Sequence, residues 1–84
     1  MYEVVFDKEA IEFLEKCEKN LAKRIWNKIM SPKRDPYHFF SKLVNRDDYR
    51  LRVGDYRVIA DIKKNERRIE ITLIVHRKNI YQNI

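Results

Sequence analysis

Three arginines stand close together in the middle of this 84-residue chain, in the run Tyr49-Arg50-Leu51-Arg52-Val53-Gly54-Asp55-Tyr56-Arg57. Arginine keeps its charge at any ordinary pH, and its planar fork of donors fits a phosphate in a bidentate way. Whether the three can act together depends on the turn between them. Gly54 is the only glycine in the chain, and glycine at the first position of a two-residue turn marks a type II′ hairpin. In that register Val53 pairs with Tyr56, Arg52 lies opposite Arg57, and Arg50 lies opposite Ile59. The pleat then sends Arg50, Arg52 and Arg57 to one face and Leu51, Val53, Tyr56 and Val58 to the other. Like charges placed directly opposite each other on a sheet are destabilising, by up to about 1 kcal/mol. A face chosen for solubility alone would mix signs. Between Arg50 and Arg57 the only carboxylate is Asp55, at the turn. The pattern points to a bound anion.

The end of the chain adds His76, Arg77, Lys78 and Tyr81. Antiparallel pairing returns this segment to the neighbourhood of Arg57. Simple alternation places His76 on the arginine side, where an imidazole titrating near neutrality could move a proton. The plainer reading of His76 is a surface histidine at a strand end. Tyr81 would offer a ring beside the cations, or would simply pack on the sheet edge. Cations for phosphates with a ring for an unstacked base are what a single-stranded RNA site needs.

The elements that must hold these residues follow from periodicity. Tyr2 to Phe6 reads as a short strand, rich in β-branched and aromatic types. Asp7 stands where a helix N-cap belongs. Ala10, Ile11, Phe13, Leu14, Cys17 and Leu21, then Ala22, Ile25, Trp26 and Ile29, recur at three- and four-residue spacing. Asn20 is the expected break between two antiparallel helices, and Ser31-Pro32 ends the helical stretch. Residues 32–47 read as a loop whose aromatics, Tyr37, His38, Phe39 and Phe40, pack it onto the core. The period then becomes two over Tyr49–Val53, Asp55–Ile62 and Ile69–His76, with Lys63–Glu66 as a polar turn. The expected fold class is α+β. Two N-terminal helices pack on an antiparallel sheet made of a short N-terminal strand and a three-stranded meander.

Length and composition bound the function. Eighty-four residues allow one domain, 1–84, with a modest core and no separate cofactor domain. A hydrophobic fraction of 44% argues against global disorder. The net charge is +6, and it is concentrated in the second half. Residues 37–84 hold eleven Lys/Arg against six Asp/Glu, whereas residues 1–36 hold eight against seven. A basic half suggests a polyanionic partner, either nucleic acid or an acidic protein segment. Cys17 is the one cysteine, so no disulfide forms within the chain, and it reads as a small core residue. His38 and His76 lack ligand-spaced partners, and Gly54 stands alone, so neither a metal site nor a phosphate-cradling glycine loop is expected. With no signal peptide and no long apolar run, the chain reads as cytoplasmic, with no membrane partner.

At these residues the sequence resembles the RelE/ParE toxin superfamily. The resemblance is carried by Lys42-Leu43, by Tyr49 to Ile62 with its Gly54-Asp55-Tyr56-Arg57-Val58 stretch, and by Val75-His76-Arg77-Lys78 with Tyr81. The order of elements matches as well. The resemblance implies a microbial-RNase-like fold and, in the RelE branch, cleavage of messenger RNA in the A site of the 30S ribosomal subunit. It implies catalytic roles for Arg50, Arg52, Arg57, Arg77 and Tyr81, with Tyr81 stacking on or orienting the substrate nucleotide. It implies RNA contacts from Lys42, Arg46, His76 and Lys78. Arg50 and Arg52 stand where the best-known RelE members have lysines. The implied partner is a RelB-like antitoxin in a toxin–antitoxin heterotetramer, and no cofactor is implied. Two other readings stay open: a ParE-like toxin that poisons DNA gyrase by binding, and a catalytically inactive RNA-binding relative.

Overall fold

The computed structural model describes residues 1–31 and 35–79. Strand β1 (Glu3–Phe6) leads into helices α1 (Lys8–Lys16) and α2 (Lys19–Met30). A short helix α3 (Pro36–Phe39) and strands β2 (Ser41–Lys42), β3 (Tyr49–Val53), β4 (Tyr56–Lys63) and β5 (Arg68–His76) follow, and Arg77–Asn79 forms a single 3₁₀ turn. The five strands lie in the order β1-β5-β4-β3-β2. The α+β class is as expected. The sheet, however, is mixed, because β1 runs parallel to β5, with Glu3 beside Arg68 and Phe6 beside Ile71. The segment read as one loop holds two further elements, α3 and β2.

Asp7 stands at the N-cap of α1 in an extended conformation, and its carbonyl accepts the Ile11 N–H at 3.0 Å. Its carboxylate makes no capping bond. The break between the helices falls at Cys17-Glu18 and not at Asn20, which lies in the first turn of α2. Cys17 closes α1 by donating its N–H to the Phe13 carbonyl at 3.0 Å, and its backbone then turns extended. At the other end of α2, the Ser31 hydroxyl donates to the Asn27 carbonyl at 2.8 Å.

The helices cover one face of the sheet. Ala10, Ile25 and Ile29 pack there with Leu51, Val53, Val58, Ala60, Ile62, Ile69, Ile71 and Ile74. Each fully buried isoleucine contributes roughly 1.5–3 kcal/mol relative to exposure. A second, smaller cluster lies on the outer face, where Leu43 and Leu73 pack over Ile59 and Val75. No helix among the described residues is long and apolar enough to cross a membrane.

One irregularity decides where the side chains of β5 point. Ile59 pairs with Leu73, yet the next residue, Ala60, pairs with Ile71. Thr72 is therefore an extra residue in β5, a β-bulge of two residues against one. Its hydroxyl donates to the Ile59 carbonyl at 3.2 Å. Past the bulge the alternation of β5 is reversed. Leu73 and Val75 go to the outer face, and Ile74 goes to the helix side.

Candidate functional site

The β3–β4 hairpin has the register that its turn dictates. Val53 pairs with Tyr56, Arg52 with Arg57, Leu51 with Val58 and Arg50 with Ile59. Gly54 has φ +56°, and among the described residues the only others with positive φ are Asn45 and Arg67. Asp55 therefore keeps a negative φ, as a type II′ turn requires. Gly54 is also tightly covered: a Cβ there would run into the guanidinium of Arg24, on α2. The positive φ of the turn selects glycine, while the Arg24 side chain, flexible at its far end, would have to shift to admit a Cβ.

Arg50, Arg52 and Arg57 converge with Ser41 and Phe39 on a cleft of about 310 Å³. Arg57 is its floor. Only 9% of it is exposed, making it the one buried charged residue among those described. Its Nη1 donates to the carbonyls of Gly54 and Tyr56, at 2.9 Å each. Burial lowers the pKa of Arg57, and the charges of Arg52, Arg50 and Arg77 lower it further, against a smaller opposing pull from Asp55. It remains a cation near neutrality all the same, because the ordinary guanidinium value is above about 12. Among the described residues no ion pair involves Arg50, Arg52 or Arg57. Such a cleft holds positive charge that no described carboxylate engages in an ion pair.

Arg77 joins from the end of β5. Its N–H donates to the Asp55 carbonyl at 2.7 Å, and its Nε lies 3.5 Å from the Asp55 carboxylate. The turn thus ties the C-terminal segment to the hairpin, as the return of β5 beside β4 requires. Lys78 is exposed one residue further on. Tyr81 lies outside the described residues.

Three expected contacts are placed elsewhere. His76 does not share the arginine face. The bulge at Thr72 reverses the alternation, so His76 sits opposite Tyr56 on the helix side while Val75 takes the place opposite Arg57. Its ring meets that of Tyr56 edge-on at 5.2 Å, and Tyr56 in turn meets Phe13 at 5.7 Å. The His76 Nδ1 accepts the Lys78 N–H at 3.2 Å. Lys42 pairs with Tyr49, whose side chain packs with the helix-side core, so the register gives it to the wrong face, at the sheet edge. It is Ser41, paired with Arg50, that lines the cleft. Arg46 lies toward the far end of the outer face with Asp61 and Thr72, where Asp48 holds its guanidinium in a bidentate pair at 2.8 Å.

Two lining residues, Phe39 and Ser41, escape a reading of the sequence. The four-residue helix α3 gathers Pro36 and Phe40 into the interior and leaves Phe39 47% exposed at the cleft. The aromatic cluster therefore packs only in part: Phe40 is 3% exposed, while Tyr37 is open on the surface and meets Tyr49 edge-on. Among the described residues no three His, Cys, Asp or Glu side chains gather as metal ligands. The chemistry that this arrangement offers is binding and stabilisation of negative charge.

Comparison with known proteins follows the same lines. A family model described as the ParE toxin of type II toxin–antitoxin systems matches residues 4–81. No curated protein matches the chain. Among solved structures, a toxin–antitoxin complex, RelBE2 of Mycobacterium tuberculosis, contains a chain similar to this one. It has a TM-score of 0.81 and 20% identity, covering 89% of this chain and 96% of that one. A chain of the archaeal RelE–RelB complex from Pyrococcus horikoshii is 25% identical, with a TM-score of 0.73 over 90% of this chain and 94% of that one. The isolated RelE toxin of Escherichia coli matches over the whole of both chains, with a TM-score of 0.74 at 12% identity.

Proposed function

The chain belongs to the ParE toxin family of type II toxin–antitoxin systems, and we propose that within it this toxin is an endoribonuclease that cuts messenger RNA in the ribosomal A site. The observation that carries this reading is the cleft formed by Arg50, Arg52 and Arg57, with no carboxylate partner among the described residues. Phosphodiester cleavage by a ribose 2′-OH passes through a phosphorane-like state that gathers negative charge on its oxygens. Preorganised cations facing that charge stabilise it more than they stabilise the substrate. Arg52 and Arg57, opposite each other across the hairpin, would hold the non-bridging oxygens. Arg50 and Arg77 would hold the neighbouring phosphates.

Proton transfer is the weaker part of the chemistry. Arginine is a poor base, and His76 is turned to the other face. Catalysis then rests on charge stabilisation and on correct in-line geometry, which alone can supply several kcal/mol, up to about 11. The ribosome would supply much of that geometry by fixing the messenger, so activity on free RNA should be weak. A RelB-like antitoxin, acidic or amphipathic where it meets the basic face, would silence the toxin, in a toxin–antitoxin heterotetramer. The similar chains in the M. tuberculosis and P. horikoshii complexes support such a partner. No cofactor or metal is needed in this scheme.

The family model is that of ParE toxins, and this favours one alternative, inhibition of DNA gyrase by binding. One experiment separates the two. Programmed ribosomes with an empty A site are incubated with the purified toxin, and the messenger is mapped by primer extension beside a gyrase supercoiling assay. Cuts within the A-site codon that disappear with Arg52→Ala are the expected result. Intact messenger together with inhibited supercoiling would replace the nuclease with the gyrase reading.

A further inference from the structure

The arginine cleft has one wall without charge, and Phe39 forms it. The segment around this ring is anchored on both sides: Pro36 is fully buried, Phe40 is nearly so, and the Phe40 N–H donates to the Pro36 carbonyl at 2.8 Å. Between these anchors the Phe39 ring is held out at the cleft, 47% exposed. The neighbouring His38 ring meets it nearly at right angles (79°), with centroids 5.1 Å apart. Trp26, a comparably exposed ring, lies flat on Phe6. Phe39 has no stacked partner among the described residues.

A flat apolar ring beside three uncompensated cations matches one kind of ligand. A nucleotide carries a flat base at one end and a phosphate at the other. An acyl chain would want apolar surroundings, and the cleft has Ser41, Arg50, Arg52 and Arg57 instead. We infer that Phe39 is the base-stacking residue of this cleft: the arginines hold a phosphate of single-stranded RNA, and the base of the same or the adjoining nucleotide lies unstacked on the Phe39 ring. The inference rests on the RNA-cleaving function proposed above, and it adds a substrate class to it. A base inside a duplex is already stacked on its neighbours and cannot lie on the ring. Paired RNA should therefore bind less tightly than single-stranded RNA, and a purine at the stacked position should bind more tightly than a pyrimidine.

The test is equilibrium binding of a short, 5′-labelled single-stranded RNA to the purified toxin at low salt, followed by fluorescence anisotropy. The same oligonucleotide is prepared with an abasic ribose at each position in turn. Stacking on an aromatic side chain predicts that one abasic position weakens wild-type binding by about 5- to 150-fold. Phe39→Ala should weaken binding of the intact RNA by a similar factor and should be indifferent to that abasic position, while Phe39→Trp should behave like wild type. If Phe39→Ala proves unfolded by circular dichroism, Phe39→Leu, which keeps apolar volume but no ring, takes its place with the same expectations. Undiminished binding by the ring-less variant, or undiminished sensitivity to the abasic site, overturns the inference and leaves the nuclease reading standing. Failure of folded wild-type protein to bind any of the RNAs, even at low salt, also overturns the inference, while the nuclease reading is decided separately by the ribosome assay above.

Discussion

At the far end of the outer face, around the β4–β5 turn, Asp61 sits opposite Glu70 and Lys63 opposite Arg68. Lys63 reaches Asp61 at 3.5 Å and Glu70 at 3.7 Å, and Arg68 pairs with Glu66 and with Glu70. Arg46 and Asp48 lie beside them, locked together. At the hairpin end of the same face Arg52 sits opposite Arg57 with Arg50 alongside, and no carboxylate answers them among the described residues. Both ends place like charges directly across the ladder. They differ in their ion pairs: salt bridges of opposite sign link the charges at one end, whereas among the described residues Arg50, Arg52 and Arg57 form none and only a smaller pull from Asp55 opposes their repulsion. The paired end is what sheet stability alone would select. The hairpin end keeps a repulsion that stability would remove, as the anion site proposed above requires.

The comparison can be broken most directly by activity. Arg52→Ala should lower A-site cleavage by about 100-fold or more, the usual cost of removing one preorganised partner of a developing oxyanion. Arg46→Ala, at the paired end, should change it by less than about fivefold. Equal losses in a primer-extension time course would mean that the two ends do the same work. Gly54→Ala comes next. A side chain at φ +56° with Arg24 against it should cost about 1–2 kcal/mol in urea unfolding, or more if Arg24 cannot move aside. A loss of only a few tenths would show that the turn does not fix the arginine register.

A smaller and more telling pair of variants is Arg52→Gln and Lys63→Gln. Removing the unpaired charge should stabilise the fold by a few tenths up to about 1 kcal/mol. Removing the paired one should destabilise it by about 0–1 kcal/mol. The gain from Arg52→Gln should shrink as salt rises, since mobile ions screen the repulsion it relieves. Two shifts of the same sign in thermal melts would end the contrast. The smallest effect concerns acid. The bond from Arg46 holds Asp48 below the usual carboxylate pKa, so its stabilisation is fully present above the unfolded value, near about 3.9. It is lost as pH falls toward the folded value. Asp48→Asn should therefore cost less than about 1 kcal/mol at pH 7, and progressively less as pH falls below the unfolded value. A difference that persists in acid would deny that this pair is ionic.

The hairpin end was readable because two independent signals agree there. Glycine at the turn sets the register, and strict alternation through Tyr49–Val53 sets the faces. Where a signal was missing, the reading went astray. Leu73, Ile74 and Val75 are all apolar, so a change of phase at Thr72 leaves no mark in the pattern, and His76 was given to the wrong face. Lys42 could be assigned only with the register of β2, a two-residue strand with too few side chains to show a period. Phe39 was lost among four successive aromatic side chains, since an exposed ring and a buried one have the same composition. The helix break at Cys17-Glu18 leaves no mark in the sequence, because the apolar spacing runs through Cys17 without glycine or proline to interrupt it. The parallel partner of β1 is a long-range fact that no local run of residues encodes.

That partner has a consequence for the order in which the molecule is made. Strand β1, Glu3–Phe6, finds its place only against Arg68–Ile71, which is made more than sixty residues later. Until that late segment has emerged from the translating ribosome, β1 has no neighbour and the sheet has an open edge where β5 belongs. Contacts so distant in sequence form late and make folding slow. The sheet of this toxin domain therefore stays incomplete until Arg68–Ile71 has been made and has folded back onto β1.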